Sequence, residues 1–132
     1  MTDLSNADVQ DLLTKPNYGV ISTTNADGSI HSTVVWLDAV DGTVRVNSAV
    51  GRTWPSNLER DPRTTVVVTA ADNPYHFVEI RGTAEGSTDG ADAVIDGLAK
   101  KYLGVDEYPY RQAGEQRITY TITPARVRLV KM

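Results

Sequence analysis

The sequence predicts a mainly β domain, a mostly antiparallel sheet closed on itself with helices over its openings. Short segments rich in β-branched residues recur along the chain, seven in all. Two Asp-Gly pairs, Asp27-Gly28 and Asp41-Gly42, supply the positive φ that tight hairpins need. Helical periodicity is confined to two or three stretches, and no repeat or linker interrupts the 132 residues, so residues 1–132 read as a single domain.

At the N-terminus Ser5 stands where a helix cap is expected, with Asp8 in capping-box position and Leu4 placed to staple onto Val9. Val9, Leu12 and Leu13 form that helix's apolar stripe, and Pro16 stops it. Residues 18–24, 30–38 and 43–47 then read as three strands of an antiparallel meander, joined by the two Asp-Gly turns. A small-residue loop with one cation, Arg52, leads into a short helix that Thr53 is expected to cap, with Pro55 in its first turn and Asp61-Pro62 beyond its end. Residues 64–70, TTVVVTA, have the composition of a strand buried on both faces. Residues 75–85 form a partly alternating strand in which Gly82 marks a bulge or bend. Ala91, Val94, Ile95, Leu98 and Tyr102 recur at helical spacing and predict the main surface helix from about residue 90 to 103, with Lys100 and Lys101 at the negative end of its dipole. Ile118, Tyr120 and Ile122 alternate along the next strand, Pro124 is expected to break it, and residues 127–130 supply a last short one.

Composition narrows the chemistry. The chain has no cysteine, which excludes disulfides, thiolate metal sites and cysteine nucleophiles. A net charge of −4 gives no general attraction for nucleic acid, so any anion site must be local. The N-terminus lacks a secretory pattern and no run approaches bilayer length, so a cytoplasmic protein without a membrane partner is expected. His31 and His76 lie on separate strands without a third ligand at metal spacing and read as solvated or edge-strand histidines. Glu59 with Asp61, and Asp106 with Glu107, fall in surface turns, and no hydrolase, nucleotide-loop or zinc motif is present, so no catalytic residue is assigned.

The informative stretch is SAVGRTWPSNLERDP, residues 48–62. Small residues let backbone N–H groups approach a ligand, a helix N-terminus offers unpaired donors, and Arg52 adds a forked charge, the ingredients of a phosphate cradle. An ordinary strand-to-helix connection with a surface arginine fits the same residues. Trp54 reads as a core plug for the short helix, with stacking on a ligand as the alternative.

The order of a YGVISTTNADGSIHSTVVW opening, the pattern G-R-x-W-x-x-N-L-x-R-D-P over residues 51–62 and R-G-T-A-E over residues 81–85 resembles the pyridoxamine-phosphate-oxidase-like split β-barrels. It is most similar to their actinobacterial F420-dependent branch, and the similarity runs from about residue 17 to 130, including Tyr110-Arg111-Gln112-Ala113 and Arg117. The resemblance implies an FMN-binding-like antiparallel split barrel that forms a homodimer, with coenzyme F420, or alternatively FMN, held in clefts at the subunit interface. It implies phosphate contacts from Arg52 and Thr53, ring and ribityl contacts from Asn47 and Ser48, and a second-strand wall from Val35 and Trp36. Asn57 belongs to the matching helix motif, Phe77 matches an aromatic position in a later strand, and Tyr110 and Arg117 would be contributed across the interface. Many relatives carry a lysine two residues after the arginine and an arginine just before the Asn-Leu pair, where this chain has Trp54 and Ser56, so a less positive cradle is implied.

The function implied is hydride transfer from the reduced deazaflavin to a small conjugated or heteroaromatic substrate, with a proton supplied by solvent, a nearby hydroxyl or His76. The alternatives are an FMN-binding oxidase or reductase and a non-enzymatic cofactor-binding protein.

Overall fold

The computed structural model describes residues 3–132. Its elements run α1 (Ala7–Thr14), β1 (Gly19–Thr24), β2 (Ile30–Val35), β3 (Leu37–Val40), β4 (Thr43–Ala49), α2 (Thr53–Arg60), β5 (Arg63–Ala70), β6 (Asn73–Ser87), α3 (Ala91–Leu103) and β7 (Arg117–Lys131). The strands form one antiparallel sheet in the order β2-β1-β5-β6-β7-β4-β3. Its two edges, β2 and β3, are consecutive in the chain and separated by Trp36 alone. The sheet therefore curls until its edges approach, and Trp36 stands at the seam of a split barrel.

Alternation decides what faces inward. Ile21, Leu37, Val44, Val46, Val66, Val68, Val78, Ile80, Tyr120 and Ile122 are fully or almost fully buried inside the barrel. Val9, Leu12 and Leu13 of α1 and Trp54 and Leu58 of α2 join the same core. The α3 helix buries Ala91, Ile95, Leu98 and Ala99, packs against β4 and β7, and is flanked by left-handed glycines at Gly90 (φ +67°) and Gly104 (φ +73°). Its Lys101 ammonium donates to the carbonyls of Leu13 and Leu37, each at 2.6 Å, tying α3 to the end of α1 and the start of β3. Burial pushes the pKa of that lysine down to about 8.

The β3–β4 hairpin forms as expected, with Asp41 (φ +50°) and Gly42 (φ +77°) both left-handed, and Arg45 makes two bonds to the Asp38 carboxylate at 2.7 and 2.9 Å across it. Several expectations need correction. The cap of α1 is Asn6, whose side chain accepts from the N–H groups of Asp8 and Val9 at 2.9 and 3.2 Å, while Ser5 bonds to Asp3. Thr53 is the first residue of α2; Arg52 occupies the cap position with no side-chain capping bond. The segment 30–38 is two strands, because residues 30–35 pair with β1 whereas residues 37–40 pair with β4. Pro124 does not break β7. It lies opposite Gly82 where the register shifts, beyond Ile122, the last residue paired with β4, so its missing N–H falls at a bulge. One strand splits and two merge, which leaves the expected number of seven. Finally, β5 is buried on one face: Thr64, Val66 and Val68 point inward while Thr65, Val67 and Thr69 keep partial exposure.

No helix among the described residues is long and apolar enough to cross a membrane, and no group of three or more His, Asp or Glu among them is arranged to hold a metal ion.

Candidate cofactor cleft

A cleft of about 570 Å³ opens at the barrel seam. Its floor is the inward face of β2, where His31, Thr33 and Val35 follow one another at a spacing of two residues. Trp36, Asn47, the Gly51–Trp54 turn, Ile95, Tyr108, Tyr110 and Arg117 also line it, and Tyr18 and the outward-facing Val34 border it at the edge of the sheet. Gly51 (φ +94°) makes the turn that carries Arg52 and the N-terminus of α2 to the cleft wall, a conformation in which a side chain is strained.

One wall is aromatic. Trp36 stacks on Tyr102 with centroids 5.4 Å apart and planes 6° from parallel, and meets Tyr108 edge-on at 6.0 Å. Tyr18 packs on the far side of Tyr102 at 5.4 Å, and Tyr110 meets Tyr108 at 5.7 Å. The row is anchored from behind: the Tyr102 hydroxyl donates to the Asn17 carbonyl at 2.7 Å and receives the Leu37 N–H at 3.2 Å. Burial pushes that hydroxyl up to a pKa of about 12, so it remains a neutral donor. Tyr108 is held through its N–H, which donates to Asp96 at 2.9 Å, and Arg111 bridges Asp92 and Asp96 at 2.7 Å each, fastening the connection after α3 onto that helix.

The other end is cationic. Arg117, with a side chain only 3% exposed, donates Nε to Asn47 Oδ1 at 2.9 Å and Nη1 to Glu115 Oε1 at 2.7 Å, and its guanidinium lies over the Tyr108 ring at 4.9 Å. Asn47 is itself fixed, its amide donating to the Ala91 carbonyl at 2.9 Å and to Thr119 Oγ1 at 3.0 Å. Arg117 Nη2 makes no hydrogen bond among the described residues and is not fully buried. Arg52, with a side chain 48% exposed, donates to the other oxygen of Glu115 at 3.1 Å. One carboxylate thus bridges two guanidinium groups beneath the site.

Of the residues expected from the sequence, Val35, Trp36, Asn47, Arg52, Thr53, Trp54, Tyr110 and Arg117 line this cleft. Tyr110 and Arg117 line it in their own chain and need no second copy to reach it. Arg52 is half-exposed and already paired with Glu115. Three residues lie elsewhere. Ser48 is buried on the opposite face of β4 from Asn47. Asn57 is a tie between α2 and the first hairpin, donating to Thr23 Oγ1 at 3.1 Å and Asn25 Oδ1 at 2.9 Å and accepting from Arg60 at 2.9 Å. Phe77 lies on the outer face of β6, under the Arg128 guanidinium at 5.4 Å. His76 is outside the cleft as well, 3.4 Å from the Val130 carbonyl, whereas His31, read as a solvated edge residue, lines the floor. Trp54 is the expected core plug, 7% exposed and packed on Tyr120 at 5.6 Å, and it also borders the cleft.

Sequence reasoning missed His31, Tyr108 and Glu115. Counting back by twos from Val35 places Thr33 and His31 on its face, so the first was legible from strand parity. Tyr108 and Glu115 lie in an irregular connection that offers no such periodicity.

A seven-stranded split barrel with aromatic and cationic walls in the cleft at its seam offers the surfaces that a planar, anionic molecule would need. The chain belongs to the pyridoxamine 5'-phosphate oxidase family, which matches residues 5–131. Among solved structures it is similar to an F420 reductase, with 26% identity over 90% of this chain and 94% of that one and a TM-score of 0.80. It shares its fold with the conserved hypothetical protein Rv2991 from Mycobacterium tuberculosis, at 23% identity over 99% and 85% of the two chains and a TM-score of 0.79. A putative pyridoxamine 5'-phosphate oxidase from Listeria innocua has the same fold at 19% identity over 86% and 87%, with a TM-score of 0.64. No curated protein is matched by sequence.

Proposed function

We propose that this chain is an F420-dependent oxidoreductase that reduces a small conjugated or heteroaromatic substrate, and that it works as a homodimer. The observation that carries the reading is the convergence of Arg52 and Arg117 with the row Trp36–Tyr108–Tyr110 in a single cleft. A planar ring is suited to aromatic faces, and a phosphate to paired guanidinium groups at a helix N-terminus. The residues fit the group in a second respect, since Arg117 lines the cleft with its side chain 3% exposed and its Nη2 has no hydrogen-bond partner among the described residues. The similarity to an F420 reductase adds support.

Bound in reduced form, the deazaflavin supplies the hydride. The chain's own groups do the rest. Arg52, Thr53 and Arg117 would hold the phosphate, Trp36 and Val35 would contact the ring, and Trp54 with the tyrosines would exclude water and orient the substrate. His31 and Thr33 line the floor, and either would pass a proton to the carbanion that hydride addition leaves at the neighbouring substrate atom.

Equilibrium titration of the protein with F420 and, separately, FMN, followed by quenching of Trp36 and Trp54 fluorescence, tests the reading. It predicts saturation at one F420 per chain and weaker binding of FMN. Tighter binding of FMN would make the protein a flavin enzyme, and binding of neither would remove the cofactor from the account.

A further inference from the structure

Glu115 has no part in the roles assigned above, yet it is the group on which both cleft arginines converge. Its side chain is 5% exposed and each oxygen has its own cation, Arg117 at 2.7 Å and Arg52 at 3.1 Å. Arg52 and Arg117 are the only permanently charged side chains lining the cleft among the described residues. With the carboxylate beneath them, the cationic end carries a net charge of about one and not two. A nearly dry carboxylate is poorly screened, so its field reaches the cleft.

We infer that Glu115 is a specificity-determining counter-charge, which sets this end of the cleft to accept a phosphate bearing one negative charge and to disfavour one bearing two. The inference rests on the reading that the cleft holds a cofactor phosphate. F420 carries a phosphodiester, a monoanion at neutral pH, whereas FMN carries a phosphomonoester with a charge close to two. The first is neutralised by the Arg52–Glu115–Arg117 group. The second brings an additional charge that is not matched and is repelled by Glu115. The same carboxylate also satisfies Arg117, whose burial would be costly without a partner. A purely structural role of that kind would affect every anionic ligand alike, whereas a counter-charge distinguishes ligands by charge.

The direct probe is a series with one ring and three charges: riboflavin, the monomethyl phosphate ester of FMN, and FMN, titrated against wild type and Glu115→Gln by fluorescence. Wild type is expected to bind the methyl ester at least as tightly as FMN. In Glu115→Gln the dissociation constant for FMN should fall relative to that for the ester by about tenfold. A wild-type preference for FMN over the ester, or equal changes for the two in the variant, would overturn the inference while leaving the cradle in place. If neither phosphate form binds better than riboflavin in either protein, the cradle fails and the inference with it. Thermal melting establishes that the variant is folded, and should it not fold, the order of ester and FMN in wild type decides alone.

Discussion

Trp54 lies between core and cleft. Its ring packs on Tyr120, whose hydroxyl donates to Glu59 at 2.6 Å and lies 3.1 Å from the Pro55 carbonyl, so the start of α2, the indole and β7 form one packed unit. Burial and the Glu59 carboxylate both push the Tyr120 pKa well above the usual tyrosine range, which keeps that donor neutral. Trp54→Ala should therefore lower unfolding free energy by about 3 to 5 kcal/mol, as for other truncated buried aromatics, and weaken cofactor binding at the same time. A chemical denaturation curve and a titration of the same variant check this together, and a melt left unchanged would detach Trp54 from the core. Much at this scale was legible in the sequence. Gly51, Arg52 and the start of a helix follow from small-residue and cation patterning alone. Glu115 was not, because nothing in its local sequence says that residues 52 and 117 would be brought to either side of it. That pairing is a product of β4 lying beside β7, where Ala49 sits opposite Arg117.

At the scale of elements, Trp36 and the Gly82–Pro124 pair show why strand composition was legible and strand continuity was not. The β-branched run from Ile30 is uninterrupted in composition, yet its two parts belong to opposite edges of the sheet, a fact that only the pairing decides. Conversely, Pro124 reads as a breaker because proline lacks a donor, but a bulge opposite Gly82 removes the need for one. The glycine is required there: a Cβ at position 82 would collide with the Thr123 carbonyl. Gly82→Ala forces β6 and β7 apart at the bulge, and we expect a loss of at least about 2 kcal/mol, well beyond an ordinary surface substitution. Thermal melting measures it, and a variant as stable as wild type would show that the bulge relaxes freely. The cleft should suffer less, since Gly82 is not among its lining residues.

For the molecule as a whole, the outer face of the sheet bears on the site. Val20 and Val34 are cross-strand neighbours at 40% and 63% exposure, Ile30 on the same face is 65% exposed, and Val67 lies beside Val20. Apolar side chains gathered on one face of a sheet argue for a covering surface, and a second copy would supply one with two-fold symmetry. Sedimentation equilibrium at micromolar concentration should give twice the chain mass of 14.4 kDa, and a folded monomer would contradict the dimer. Phe77 fits the same picture. On the outer face it is turned away from its own chain's cleft, so a cofactor contact from Phe77 would require a second chain. Whether the seam cleft takes F420, as proposed, is decided by a crystal structure of the protein with F420: the ring is expected against Trp36 and the phosphate within hydrogen-bonding distance of Arg52 and Arg117, and a cofactor bound elsewhere, or a phosphate remote from both arginines, would overturn the proposal.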